Sequence, residues 1–308
     1  MKAGVAMAAI GWSGLAFAGG EGWIADFSAA KKQAAEANTD LLVDFTGSDW
    51  CGWCIKLNEE VFSHDAFKSG VKDKFVLVEI DFPQDKKKLS EATQKQNAEL
   101  GEKYGVQGYP TILLTDASGK PYAATGYQKG GPEAYVKHLD ELREKKAVRD
   151  EAFAAAAKSE GVEKAKGLVA ALKAMDLTDA MVANFYGDVA DQIKAADPKD
   201  ETGFAKEAAD KAKVAEFETK LRGFAEKEDY DGALALVDST LKEGGFGPDE
   251  TQQMILTKAS LLAQQGKFDD AIKAVDEGKA ASPESSMIPA IDGFRNQLEA
   301  AKKQPAAK

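Results

Sequence analysis

The spacing of apolar residues changes character once along this chain, near Lys146, and that change sets the fold class. Before it, short apolar runs alternate with amphipathic stretches. Leu41-Leu42-Val43-Asp44-Phe45, the run Phe75 to Asp81, and Thr111-Ile112-Leu113-Leu114-Thr115 read as buried strands. Asp116-Ala117-Ser118-Gly119 reads as a hairpin turn into a further strand, Tyr122-Ala123-Ala124-Thr125. Helical spacing is expected over 23–38, from just after Trp50 through Ile55, Leu57 and Val61, over 88–104 and over 131–146. Strands interleaved with helices in this order predict an α/β unit, a mixed central sheet with helices on both faces.

After Lys146 strand-like runs vanish, alanine becomes abundant, and apolar residues recur every three to four positions. Helices are expected over 150–158, 161–175, 178–196, 203–227, 230–243, 249–265, 267–281 and 286–302. Asp197-Pro198, Gly266, Ser282-Pro283 and the run Gly244 to Pro248 punctuate them. Gly244-Gly245-Phe246-Gly247 reads as an interhelical hinge, because no strand precedes it to build a phosphate cradle. A chain of 308 residues is long enough for two domains. The expected division is a segment 1–18, an α/β domain 19–146 and an all-α domain 147–308.

Residues 1–18 are read as a signal peptide. Met1-Lys2 gives a positive start, 3–18 are apolar or small, and Ala16-Phe17-Ala18 has the small-x-small form that signal peptidase cleaves. An uncleaved anchor is the alternative, but the apolar run falls short of the ~20 residues that span a bilayer. Export, to a bacterial periplasm or out of the cell, is the expectation. The net charge of -11 disfavours nucleic acid and, beyond the signal peptide, membrane surfaces as partners.

Export makes the cysteines informative. There are two, Cys51 and Cys54. A pair three residues apart closes a tiny loop and removes little entropy from the unfolded chain, so it is a poor staple and a good reversible redox couple. It stands directly after a strand and directly before a helix. A sulfur at a helix N-terminus meets unpaired N–H groups and the positive end of the helix dipole, which favour the thiolate that attacks disulfides. That placement makes Cys51 the exposed nucleophile and Cys54 the shielded resolving thiol. A metal site would need more ligands, and the two histidines, His64 and His138, stand at no ligand spacing. No metal and no cofactor beyond the cysteine pair is expected. His64 reads as a loop residue, His138 as a helix-surface group, and Asp85-Lys86-Lys87-Lys88 as solvated.

Several separated pieces agree on a family. The Trp50-Cys51-Gly52-Trp53-Cys54 motif, Asp44 in Val43-Asp44-Phe45, and Gly108-Tyr109-Pro110-Thr111 together make residues 23–146 resemble a thioredoxin domain. Glu60-Val61-Phe62-Ser63, Asp81 and Gly126-Tyr127 are most similar to the exported branch that includes the periplasmic C-terminal domain of DsbD. The resemblance implies a thioredoxin fold, Asp44 as a buried acid assisting proton transfer, and a cis Pro110 beside the cysteines. It also implies that Tyr109 offers its backbone to an extended substrate segment. The linker Thr46-Gly47-Ser48-Asp49-Trp50 is one residue longer than the family's, which leaves Asp49 as the alternative to Asp44. Trp50 and Trp53 are candidate substrate-contact residues; the alternatives are core packing for Trp50 and shielding of Cys54 for Trp53. In the second half, Ile255 to Pro283 resembles a tetratricopeptide repeat through Ala259, Gly266, Phe268, Ala271 and Pro283, with a looser copy beginning near 217.

The activity these features imply is thiol–disulfide exchange through a mixed disulfide. With an uncharged Gly52-Trp53 between the cysteines, a protein-disulfide reductase or isomerase is favoured over a strong oxidant. Its partners would be protein thiols and disulfides, an upstream electron donor, and a protein bound by the helical half. The alternative from another class is an interaction module in which the helical half binds a partner and the first domain is passive or regulatory.

Overall fold

Two seven-residue strands, β2 (Asp40–Thr46) and β3 (Phe75–Asp81), are buried along their whole length, so the sheet they belong to must be covered on both faces. In the computed structural model, which describes residues 22–303, that sheet has five strands. β1 (Trp23–Ile24), β4 (Thr111–Thr115) and β5 (Pro121–Thr125) complete it in the order β1-β3-β2-β4-β5. β1, β3 and β2 run parallel; β4 and β5 add antiparallel pairings. This is the mixed sheet that the apolar runs predict. The expected signal peptide, 1–18, lies outside the described residues.

Side chains alternate across the sheet. Leu41, Val43 and Phe45 of β2 join Val76, Val78 and Ile80 of β3 in one core cluster. The cluster is closed by Phe27, Ala30 and Ala34 of α1 (Phe27–Ala37) and by Tyr104 at the end of α4 (Glu91–Lys103). Asp44, Glu79 and their neighbours two residues away point to the opposite face. That face carries α2 (Gly52–Leu57), its π-helical continuation Asn58–Phe62, α3 (Asp65–Val71) and α5 (Gly131–Ala156). An aromatic chain packs them: the Phe62 ring lies 5.0 Å from Trp23, 4.9 Å from Phe67 and 5.8 Å from Tyr135.

Several expected bounds shift, each for a local reason. Trp23 and Ile24 are strand, since they pair with Leu77 and Val78, and α1 starts only after Asp26 caps it through the Ser28 and Ala29 amides. Ser90 caps α4, so the helix expected from 88 begins at Glu91 after a 3-10 turn over Lys86–Lys88. The helices expected over 131–146 and 150–158 are one helix, α5. α3 was not foreseen; Ser63 and His64 break the helix that follows the cysteines and start it again.

The division of the chain also differs from that expectation. Two compact units meet at Thr202/Gly203 rather than at 146/147. Helices α6 (Gly161–Met175) and α7 (Asp179–Ala196) belong to the first unit. The reason is α7. Met181 enters the sheet's core cluster, and the Phe185 ring stacks on Tyr104 at 4.6 Å. Tyr186 donates its hydroxyl to the Pro121 carbonyl at 2.6 Å and accepts from Arg149 at 3.2 Å. Holding Tyr186 there kinks α7, whose backbone leaves helical angles at that residue.

The second unit is helical throughout its described length: α8 (Phe204–Ala225), α9 (Tyr230–Glu243), α10 (Pro248–Gln264), α11 (Phe268–Ala281) and α12 (Ile288–Lys302). Gly266, with φ of 73°, ends α10 in the left-handed turn that its sequence position suggests. Ala259, Ala271 and Val275 are fully buried between α10 and α11, and Gly278 lets the two helices approach at Ile255 and Leu256. Among the described residues no helix is long and apolar enough to cross a membrane.

Candidate active site

The turn between β2 and α2 is fastened to the end of β3. Trp50 and Cys51 both donate their amides to the Gly47 carbonyl, at 3.2 and 2.9 Å. Ser48 gives its amide and hydroxyl to the Asp81 carboxylate at 2.9 and 2.6 Å. Asp49 accepts from the Gln84 amide at 2.8 Å and the Lys88 ammonium at 2.9 Å. The Trp50 indole N–H reaches the Phe82 carbonyl at 2.7 Å. Gly47 is required by this close approach: a Cβ there would stand 2.6 Å from the Trp50 ring.

On this turn Cys51 occupies the N-cap of α2, in extended conformation, and its sulfur accepts the Cys54 amide at 3.2 Å. The two cysteines form a disulfide. Their exposures are 6% and 5%, so in the oxidised form coverage does not separate an exposed from a shielded cysteine, contrary to expectation. The distinction rests on the N-cap. The Cys51 sulfur is the one at the N-cap, where it accepts the Cys54 amide, and a helix N-terminus favours a thiolate.

Aromatic rings flank the pair. Trp50 is 44% and Trp53 56% exposed, so Trp50 is no core residue. Trp50 meets Tyr109 edge-on at 5.6 Å, and Tyr109 contacts Phe82 at 5.3 Å. Tyr109 precedes Pro110 through a cis peptide bond. On the other flank Trp53 lies 5.2 Å from Tyr127, and the Lys56 ammonium sits over both rings. Tyr127 donates to Glu60 at 2.5 Å. Phe82 and Lys56 were not read as site residues from sequence, because nothing in their own neighbourhoods marks them.

Beneath the cysteines lies a cleft of about 120 Å³, lined by Cys54, Asp44, Glu79, Thr46, Ser48 and Trp23 among others. Asp44 is buried in it. Burial, and then the Glu79 and Asp81 carboxylates, push its carboxyl well above the ordinary range. Asp49 lies instead on the surface turn, where Lys88 and the Gln84 amide hold its carboxyl below the ordinary value. Of the two aspartates, Asp44 lines the cleft beside Cys54 and Asp49 does not. Glu79 was missed. The signal was present as an acid inside each of two apolar strand runs, Asp44 and Glu79, which the register places side by side.

His64 is exposed at the N-cap of α3, and His138 shares a 2.9 Å hydrogen bond with Thr125. Among the described residues no group of three or more histidine, cysteine, aspartate or glutamate side chains is arranged to hold a metal ion.

Residues 27–143 match the family model of the thioredoxin-like domain. Among curated proteins, the chain is 37% identical over 110 residues to the disulfide bond reductase DsbH of Chlamydia pneumoniae, covering 36% of this chain and 66% of that one. It is 35% identical over 92 residues to the thioredoxin-related protein DsbJ of the same organism, covering 30% and 26%. The chain thus spans just under two thirds of the first relative's length and about a quarter of the second's. A solved DsbH oxidoreductase aligns over 37% of this chain and 78% of its own, at 34% identity and a TM-score of 0.36. With the five-stranded sheet and the cysteine pair at the N-cap of α2, residues 27–143 are a thioredoxin-like domain.

Proposed function

We propose that this protein is a thiol–disulfide oxidoreductase that reduces or isomerises disulfides in other proteins. The observation that carries the reading is the Cys51 sulfur at the helix N-cap, joined to Cys54. In the reduced protein the Cys51 thiolate attacks a substrate disulfide, forming a mixed disulfide and releasing one substrate thiolate. Cys54 then loses its proton, attacks the Cys51 sulfur and releases the second. Two electrons pass to the substrate and the protein is left oxidised. Asp44, in the cleft beside Cys54, receives the Cys54 proton.

Trp50, Tyr109 and Pro110 on one flank, and Trp53 on the other, would hold the substrate segment around the reacting sulfurs. Exposed rings beside a reactive pair support that role, since aromatic surface binds peptide at low entropic cost. The helical unit has no cysteine, so any part it takes in the reaction is through binding a protein, a client or an electron donor. Met1-Lys2, the apolar stretch 3–18 and Ala16-Phe17-Ala18 support export, to a periplasm or beyond the cell. The name of the DsbH relative, a disulfide bond reductase, favours reduction over oxidation.

The reduction potential of the Cys51–Cys54 couple, set by equilibration with glutathione buffers, tests the direction. A value near about -250 mV is expected of a reductant; one near about -120 mV, the range of a strong oxidant, would reverse it.

A further inference from the structure

Asp44 and Glu79 are register partners on adjacent parallel strands, so their side chains leave the same face of the sheet about 4.8 Å apart along the hydrogen-bonding direction. Both residues are buried, and both line the cleft that also holds Cys54. Two carboxylates confined this closely do not both ionise easily, because each charge raises the cost of the other. The cleft has room and polarity for water. It measures about 120 Å³, and the buried Trp23 indole N–H and one Asp44 carboxylate oxygen have no hydrogen-bond partner among the described residues.

We propose that Glu79 is a positioning residue for the resolving step: it and Asp44 hold one proton between them, and Glu79 thereby sets the pH at which Cys54 attacks the mixed disulfide. This rests on the oxidoreductase reading and deepens it. The other ionisable groups facing Asp44 are Asp81 from the end of β3, Glu59 from the helix after Cys54, and Tyr135 from α5. Asp81 accepts from Ser48 and Tyr135 donates to the Gly126 carbonyl; Glu79 is the group in direct strand register with Asp44. When Cys54 attacks, its thiol proton goes to the ionised member of the pair, the Cys54–Cys51 bond forms, and the bond from Cys51 to the substrate sulfur breaks. The departing thiolate carries the electron pair away. Removing the Glu79 charge makes Asp44 less ready to hold a proton. Asp44 then stays ionised, and able to accept, at lower pH.

The test uses the reduced full chain and the probe disulfide 5,5′-dithiobis(2-nitrobenzoate), mixed in a stopped-flow spectrometer. The first release of thionitrobenzoate reports Cys51 attack, and the second reports resolution by Cys54. In Glu79→Gln the midpoint of the second phase against pH should fall by one unit or more, making it about fivefold faster one unit beneath the wild-type midpoint. Glu79→Asp, which keeps the charge, should hold the wild-type midpoint. An unchanged midpoint in Glu79→Gln, or an equal shift in Glu79→Asp, would overturn the proposal. Absence of the first phase would instead overturn the oxidoreductase reading. Should Glu79→Gln not fold, a carbon-13 titration of the Asp44 carboxyl in the wild-type protein decides the matter. Two inflections are expected of a coupled pair, and a single inflection would refute the coupling.

Discussion

Replacing Met181 by alanine tests whether α7 is part of the unit that carries the cysteines. Met181 lies some 80 residues beyond Tyr104 in sequence, yet it is 2% exposed and packs in the same cluster as Tyr104, Phe27 and the faces of β2 and β3. Truncating a buried methionine to alanine removes apolar contact and leaves a cavity, costing about 2–5 kcal/mol. With a urea slope of about 2 kcal/mol per molar, the lower figure moves the unfolding midpoint down by about 1 M. The assay is urea unfolding followed by tryptophan fluorescence. The described tryptophans, Trp23, Trp50 and Trp53, belong to the first unit and the segment 203–308 contains none, so the signal reports the first unit. A domain that ended near 146 would keep its midpoint when Met181 is changed. A shift under about 0.3 M, well beneath that expected for a filled core position, would refute the packing argument.

Asp44→Asn should change how stability depends on pH. Burial raises the folded-state affinity of Asp44 for its proton above that in the unfolded chain, so the folded state binds more protons and the wild type loses stability as pH rises from about 4 through the folded-state value. The asparagine variant should escape this loss, by about 1.4 kcal/mol for each unit of elevation, with no differential effect at pH below about 4; parallel unfolding curves for the two proteins across pH 4 to 8 would contradict it. Gly47→Ala should cost about 1–3 kcal/mol, because the new Cβ meets the Trp50 ring at 2.6 Å, and should slow reduction of a protein disulfide by displacing Trp50 from Phe82. Thermal unfolding and an insulin-reduction rate check the two halves of that statement. Cys54→Ala should trap mixed disulfides through Cys51, visible as bands lost on reduction, whereas Cys51→Ala should trap few.

The strands of the sheet were legible because apolar runs bounded by turn residues have few other interpretations. The helices of the second unit were legible through their glycine and proline stops; Gly266 and Ser282-Pro283 mark ends within a residue or two of those observed. The cysteine pair and the Tyr109-Pro110 loop were legible because their chemistry is local to a few adjacent residues. What was hidden depends on distance in sequence. Nothing near Phe185 or Tyr186 announces that they pack on Tyr104 and Pro121, since an amphipathic helix shows that it has an apolar face but not what covers it. Glu79 was hidden for the same reason. Its acid stands out in an apolar run, but only the strand register sets it against Asp44. What sets Asp44 and Asp49 apart is likewise non-local: burial and a neighbouring carboxylate around one, Lys88 beside the other.

The central claim is that Cys51 is the nucleophile of a working dithiol, activated by its place at the N-cap of α2. The most direct measurement is the pH dependence of iodoacetamide alkylation of the reduced full chain, with each cysteine followed by peptide mass spectrometry. Cys51 should react first, with a midpoint well below the ~8.5 of a free thiol. Alkylation of Cys51 only at or above about pH 8.5, or of Cys54 ahead of it, would contradict the account.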